Sequence, residues 1–369
     1  MATIEEQIED IEDEIKNTQY NKATQHHIGK LKAKLARLKD EMEKRRATQR
    51  GGGAGKGYAV RKSGNATIAI VGYPSVGKST LLNKITDADS DVGEYQFTTL
   101  SIIPGIMEYR GAKIQILDMP GLIKGASKGK GRGKEVISAA RSADLILLMI
   151  DVFTPNIQTL VDELYKAGFR LNQKPPDITI SKHDRGGIGV NTTVKLTHTN
   201  EEIITSILSS YGYVNADIVI RDNIHDDQLI DFISGNKIYI PAIIALNKTD
   251  LISKTENQEL IKKIKDFPIV PISAESNKGL EKLKRTLFNS LKFMRLYMRP
   301  QGGKTDYDEP LVIKSKSTVG MICDALHRDF RRKFRYALVW GKSAKFPGQI
   351  VGIDHVLKDK DVLTIVIRK

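Results

Sequence analysis

The sequence predicts an α/β fold: a largely parallel sheet bearing a phosphate-binding loop, interrupted by a smaller α/β subdomain, with a helical hairpin ahead of it and a further mixed domain behind. Three observations predict it. The apolar run 68–71 reads as a buried strand and passes through Gly72-x-x-x-x-Gly77-Lys78-Ser79 into a helix opened by Leu81, Leu82 and Ile85. Runs 113–117, 145–152, 240–246 and 269–272 read as further strands, each running into polar residues at its C-terminal end, where open α/β sheets bind ligands. Residues 152 and 240 are about 90 apart, far beyond the roughly 30 residues of one βαβ unit, so something is inserted.

The composition narrows the classes. A chain of 369 residues has room for two or three domains. No apolar run approaches the roughly 18 residues of a membrane span, and the N-terminus opens with acids rather than a basic, then apolar, leader, so a cytoplasmic location with no membrane partner is expected. The single cysteine, Cys323, lies on an apolar helix stripe and reads as core, which excludes disulfides and cysteine-rich metal sites. Net charge is +14, and residues 291–369 carry 17 basic against 8 acidic side chains. That asymmetry suggests a polyanionic partner, RNA before DNA.

In residues 1–50, Ile4, Ile8, Ile11 and Ile15 recur at helical spacing behind a Thr3/Glu6 capping box. After a break at 17–21, Ile28, Leu31, Leu35, Leu38 and Met42 form a second stripe, giving a hairpin. Lys30, Lys32, Lys34, Arg37, Lys39, Lys44, Arg45 and Arg46 surround that stripe. They read either as a phosphate-facing surface or as a soluble outer face. Residues 51–65 begin with a glycine run and read as a linker.

The phosphate loop is Gly72, Tyr73, Pro74, Ser75, Val76, Gly77, Lys78, Ser79 and Thr80. Its glycines let backbone N–H groups turn toward an anion at a positive helix end; Lys78 is placed for the β- and γ-phosphates and the Ser79 hydroxyl for Mg²⁺. Downstream, Phe97, Thr98, Thr99, Leu100 and Ser101 form a polar segment with little periodicity, in which a threonine can bind Mg²⁺ and sense the γ-phosphate. Strand 113–117 ends in Asp118-Met119-Pro120-Gly121, where the carboxylate can hold Mg²⁺ through water and the Gly121 N–H can meet the γ-phosphate. Residues 124–134, rich in glycine and lysine, cannot build a core and read either as a switch and contact surface or as a plain surface loop.

The insertion supplies an apolar run at 178–180, a helix at 201–211, an alternating strand at 216–221 and a helix at 226–233. It shows no catalytic constellation. His183 and His198 lack partners at metal-ligand spacing and read as surface histidines. Strand 240–246 then ends in Asn247-Lys248-Thr249-Asp250. A carboxylate at Asp250 can take both N1–H and N2–H of guanine, a pattern adenine lacks. Ser273, Ala274 and Glu275 follow the next strand, with backbone for guanine O6. Beyond residue 295, a strand at 311–313, one amphipathic helix marked by Val319, Ile322, Cys323, Leu326, Phe330 and Phe334, and strands at 337–340 and 362–367 are expected. That helix ends in Arg328, Arg331, Arg332, Lys333 and Arg335, more charge than the helix dipole needs, which favours an anion-binding face.

Taken as a set, Gly-Tyr-Pro-Ser-Val-Gly-Lys-Ser (72–79), Glu-Tyr-Gln-Phe-Thr-Thr-Leu (94–100), Gly-Ala-Lys-Ile-Gln-Ile-Leu-Asp-Met-Pro-Gly (111–121), Gly-Lys-Gly-Arg-Gly-Lys (129–134), Asn-Lys-Thr-Asp (247–250) and Tyr-Ala-Leu-Val-Trp-Gly (336–341) resemble the developmentally regulated GTP-binding (DRG) proteins of the Obg-related GTPases. The resemblance covers nearly the whole chain. It implies an OBG-type P-loop GTPase domain at 66–291 with a ribosomal-protein-like insertion at about 170–236, and a ubiquitin-like β-grasp (TGS) domain at 292–369 associated with RNA or ribosomes. It implies GTP/GDP and Mg²⁺ as ligands, with Thr99 the Mg²⁺-contacting threonine of its pair and Lys78, Thr99 and Gly121 the catalytic set. Many GTPases carry glutamine where Leu122 stands, so hydrolysis is expected to be slow unaided. Ser75 occupies the position where potassium-activated relatives carry asparagine, which makes K⁺ a candidate cation. The function expected is a GTPase switch acting on ribosomes, rRNA or tRNA, with an accessory protein as a further candidate partner. The alternative is an RNA-binding scaffold with structural GTP.

Overall fold

The computed structural model describes residues 3–19, 24–49, 64–86, 103–119, 133–264 and 266–368. Six strands form the main sheet, in the order Ile269–Pro271, Ala242–Asn247, Leu145–Asp151, Ala66–Gly72, Ala112–Asp118, Ile103–Tyr109. The first five run parallel and the edge strand Ile103–Tyr109 antiparallel. Ala66–Gly72 and Leu145–Asp151 are buried at every position, as expected of central strands covered on both faces. Their side chains join Leu81, Leu82, Leu283 and Leu287 of the flanking helices in one core. The strand Ile103–Tyr109 escapes the sequence reading. It returns through a two-residue turn, Arg110 and Gly111, both at positive φ (53° and 80°), the geometry that suits a tight hairpin.

In the C-terminal part, Phe293–Met298 and Val362–Ile367 lie side by side and parallel in the middle of a five-stranded sheet. Leu311–Lys314 flanks one side, Phe334–Trp340 and Gln349–Val351 the other, all antiparallel. Helix Val319–Leu326 places Val319, Ile322 and Cys323 against Met294, Leu296, Ala337 and Leu363. A helix clasped by a sheet whose first and last strands pair in parallel is the β-grasp arrangement the resemblance implies. One expectation is corrected: the single helix through Phe334 is broken. His327, extended at φ −164° and ψ 141°, ends Val319–Leu326, and its Nδ1 accepts the Asp329 N–H at 3.1 Å to start the short helix Arg328–Arg332. Phe334 then opens a strand.

The chain divides into two compact units. One joins the hairpin within Met1–Gly57 to Gly168–Tyr239; the other holds Tyr58–Ala167 and Ile240–Lys369. In the first, helices Ile4–Asn17 and Gln25–Gln49 pair, and the reciprocal Thr3/Glu6 capping box opens the former. The second helix packs on Glu201–Ser210 and Asp226–Ser234, with Ala33 fully buried among Ile203, Ile207, Ile218 and Leu229. These helices back a three-stranded sheet, Ile178–Lys182, Ala216–Ile220 and Ile188–Thr192. Where the chain enters and leaves the insertion, Phe169–Leu171 pairs with Ile238–Ile240, and the Arg170 guanidinium makes a buried two-point contact with Asp231 (2.5 and 2.8 Å). Within the described residues no helix is long and apolar enough to cross a membrane.

Candidate nucleotide site

The carboxyl ends of the parallel strands converge on one edge. Gly72, Asp118, Asp151 and Asn247 each terminate a strand there, so the sheet delivers their side chains and backbone to the same place. The loop from Gly72 to helix Lys78–Ile85 needs its glycines. A Cβ on Gly72 would stand 2.3 Å from the Met149 carbonyl oxygen, and one on Gly77, at φ 94°, 2.5 Å from Asn247 Nδ2. No side chain fits at either position, which keeps the loop's backbone open toward an anion at the helix end.

Lys78, the first residue of that helix, donates to the Gly72 and Tyr73 carbonyls at 3.2 and 2.9 Å. Burial pulls its ammonium below the ordinary lysine range, opposed by the Asp118 charge. Ser79 Oγ donates to Asp118 Oδ2 at 2.8 Å, while Asp118 Oδ1, buried, has no hydrogen-bond partner among the described residues. An orphaned carboxylate oxygen beside a hydroxyl, at the mouth of a phosphate loop, suits a hard cation that takes oxygen ligands, so these residues fit Mg²⁺. Thr99, with Phe97, Thr98, Leu100 and Ser101, and Pro120, Gly121, Leu122 and 124–132 lie outside the described residues. Met119 is buried and donates its N–H to the Ile70 carbonyl at 3.2 Å.

Asn247 ties the phosphate loop to the segment 273–275, which with 247–250 is expected to meet a base. Its Nδ2 donates to the Val76 carbonyl at 2.8 Å and its Oδ1 accepts the Ala274 N–H at 2.9 Å, all three residues being buried. Thr249 is fixed by two bonds to the Ile272 carbonyl, from its N–H at 3.1 Å and its hydroxyl at 2.8 Å. Asp250 is thereby held exposed on a short 3₁₀ turn, Thr249–Leu251. Ser273 Oγ accepts the Ser276 N–H at 3.1 Å, shaping the loop that carries Ala274 and exposed Glu275. Lys248 donates to the Ser75 carbonyl at 3.1 Å and to Asp151 at 2.6 Å. Asp151 is the residue sequence reading passed over. Its signal was present: an aspartate directly after an apolar strand, in the position that Asp118 takes after its own strand.

The other expected surfaces fare unequally. On the second hairpin helix, Lys32 pairs with Asp227 (3.0 Å), Lys39 with Glu12 (2.6 Å) and Arg45 with Glu41 (2.7 Å), and Arg37 donates to the Ser210 carbonyl (3.1 Å). Four of the basic side chains described on that helix thus serve packing and pairing within the unit. In the C-terminal part Arg331 pairs with Asp324, and Arg332 with Asp329 at 2.9 Å, which leaves Arg328, Lys333 and Arg335 outside these ion pairs. His183 meets Asp217 at 2.8 Å and His198 stacks on His225; among the described residues no acidic, histidine or cysteine group could hold a metal by itself.

The family described as 50S ribosome-binding GTPase matches residues 67–182, the C-terminal region of that domain matches 185–293, and the TGS domain matches 294–367. A GTP-binding protein of Methanocaldococcus jannaschii is 55% identical over 99% of this chain and 93% of its own length. Developmentally-regulated G-protein 3 of Arabidopsis thaliana is 46% identical over 99% of both chains. Ribosome-interacting GTPase 1 of Saccharomyces cerevisiae is 44% identical over 99% of this chain and all of its own.

Proposed function

The chain belongs to the family of developmentally regulated GTP-binding proteins, and on that premise we propose that it hydrolyses GTP to GDP and phosphate as a switch acting on the ribosome or other RNA. The observation that carries this reading is the Asn247 bridge, which holds the phosphate loop and the guanine-selecting segment in one frame. Asp250 selects guanine by accepting its paired N–H donors. The ammonium of Lys78, now folded onto two loop carbonyls, is within reach of the anion that replaces them, and an anion there would offset the burial that lowers its pKa. Ser79 and Asp118, with Thr99, would hold Mg²⁺, which when bound supplies charge compensation at the phosphates.

Leu122 can neither orient a water nor offset charge on the phosphate oxygens, so turnover by the isolated protein is slow. Two suppliers remain: K⁺ near Ser75, and a docked ribosome that brings a polar group, such as Arg132 of 124–134, to the γ-phosphate. The names of the yeast relative and of the matching family support the ribosome as the docking partner, and the basic C-terminal domain supports RNA. A cytoplasmic setting follows from that partner. Multiple-turnover assays in K⁺ against Na⁺, with and without ribosomes, test the reading. Stimulation in either arm supports it; GTP-independent ribosome binding with no stimulated hydrolysis favours the scaffold reading, which the inert Leu122 recommends as the rival.

A further inference from the structure

Asp151 lies beside Asn247 in the parallel register of the central strands, and its side chain is only 7% exposed. Its two oxygens serve different segments. Oδ1 accepts the Phe153 N–H (3.2 Å), the Thr154 N–H (2.8 Å) and the Thr154 hydroxyl (2.7 Å), which closes the loop after the strand. Oδ2 accepts the Lys248 ammonium, which also donates to the Ser75 carbonyl in the phosphate loop. One ammonium therefore joins three segments: the end of a central strand, the phosphate loop and the guanine box.

Lys248 is held there against its own backbone preference. It sits at φ 61°, in the left-handed region that side-chain-bearing residues rarely adopt. Its neighbours impose this, because Asn247 is anchored to Val76 and Ala274, and Thr249 to Ile272. Burial raises the Asp151 carboxyl, but the hydrogen bonds from Lys248 and Thr154 and the Lys248 charge outweigh it and hold the group below the usual carboxylate range. Asp151 is thus an anion throughout the neutral range, with one oxygen committed to this lysine.

We propose that Asp151 is a positioning residue for guanine-nucleotide retention, acting through Lys248 to keep the base-selecting segment and the phosphate loop in register. The inference rests on the reading of this site as a GTP site. Asp151→Asn is the discriminating substitution. Its Oδ1 can still accept from Phe153 and Thr154, so the loop turn survives. Its amide turns a donor toward the ammonium, so Lys248 is released.

The experiment is the release of fluorescently labelled GDP from the full chain, run as a double-mutant cycle with Lys248→Met. Asp151→Asn should speed release about tenfold, the worth of one charge-assisted hydrogen bond. In the Lys248→Met background the same change should add nothing further. Asp151→Glu, which restores the charge, should recover part of the loss. Wild-type release in Asp151→Asn, or an equal effect with and without Lys248, would overturn the proposal, the latter because a purely structural role does not depend on the lysine. Should Asp151→Asn fail to fold, Lys248→Met alone reads the link, since it should speed release at least as much, and wild-type release in Lys248→Met would overturn the proposal. Wild-type protein that retains no GDP would instead overturn the functional reading on which the proposal stands.

Discussion

Replacing Asn247 by alanine tests whether one side chain holds the nucleotide site together. The side chain is 3% exposed and makes two hydrogen bonds to backbone groups of buried residues, Val76 and Ala274. Truncation leaves a carbonyl and an N–H without that partner, and each such group costs about 1–3 kcal/mol, so a total of about 2–6 kcal/mol is expected. At about 2–4 °C per kcal/mol for a unit of this size, the first melting transition should fall by roughly 4–24 °C. The loop and the guanine box then lose their common anchor. If about 2 kcal/mol of the loss falls on the bound geometry, GDP affinity drops about 30-fold. Asn247→Asp is the sharper control. It still accepts from Ala274 but turns a carboxylate oxygen toward the Val76 carbonyl, so it should be no better than alanine despite its matching shape. Melting by circular dichroism and binding by calorimetry read both effects. Unchanged melting with unchanged GDP affinity in Asn247→Ala would refute the bridge as the organising contact.

Asp250→Asn should lower GTP affinity and admit xanthine nucleotide, whose C2 oxygen needs a donor; equal affinity of the wild-type protein for ATP and GTP would refute the selection. Ser79→Ala removes the hydroxyl that donates to Asp118, and the Mg²⁺ concentration needed for GDP retention should rise about tenfold; an unshifted Mg²⁺ titration would remove Ser79 from the cation site. Neutralising Arg328 and Arg335 should reduce the log–log salt slope of RNA binding by about 0.7–0.9 for each phosphate no longer neutralised, more than neutralising Arg331 and Arg332, which already pair with Asp324 and Asp329. Burial raises the Asp359 carboxyl, but hydrogen bonds from Arg295 and its charge outweigh this, so its folded pKa lies below its unfolded one. Its contribution to stability is therefore complete above about pH 3.9 and lost as pH falls through the lower folded value, and Asp359→Asn should flatten that acid limb in urea titrations.

The sequence alone determined the elements whose information is local. A phosphate loop, Asp118 at a strand end and Asn247 to Asp250 at another are legible because a strand's C-terminal end, a turn and a helix start are each written in a few adjacent residues. The inserted subdomain was legible from spacing, and the capping box of the first helix from two residues three apart. Tertiary structure alone decided what depends on residues far apart in the chain. The hairpin helix joins the core of an insertion some 170 residues downstream, and four of its described basic side chains are taken up in that unit; a charge count cannot separate these from side chains that face solvent. The apolar stripe 319–334 reads as one helix because periodicity ignores a break that depends on His327 capping the next turn. Asp151 shows the same limit at the candidate site. Its carboxylate stands in an apolar strand like any strand-ending aspartate, and only the parallel register that sets it beside Asn247 brings it onto Lys248, 97 residues away.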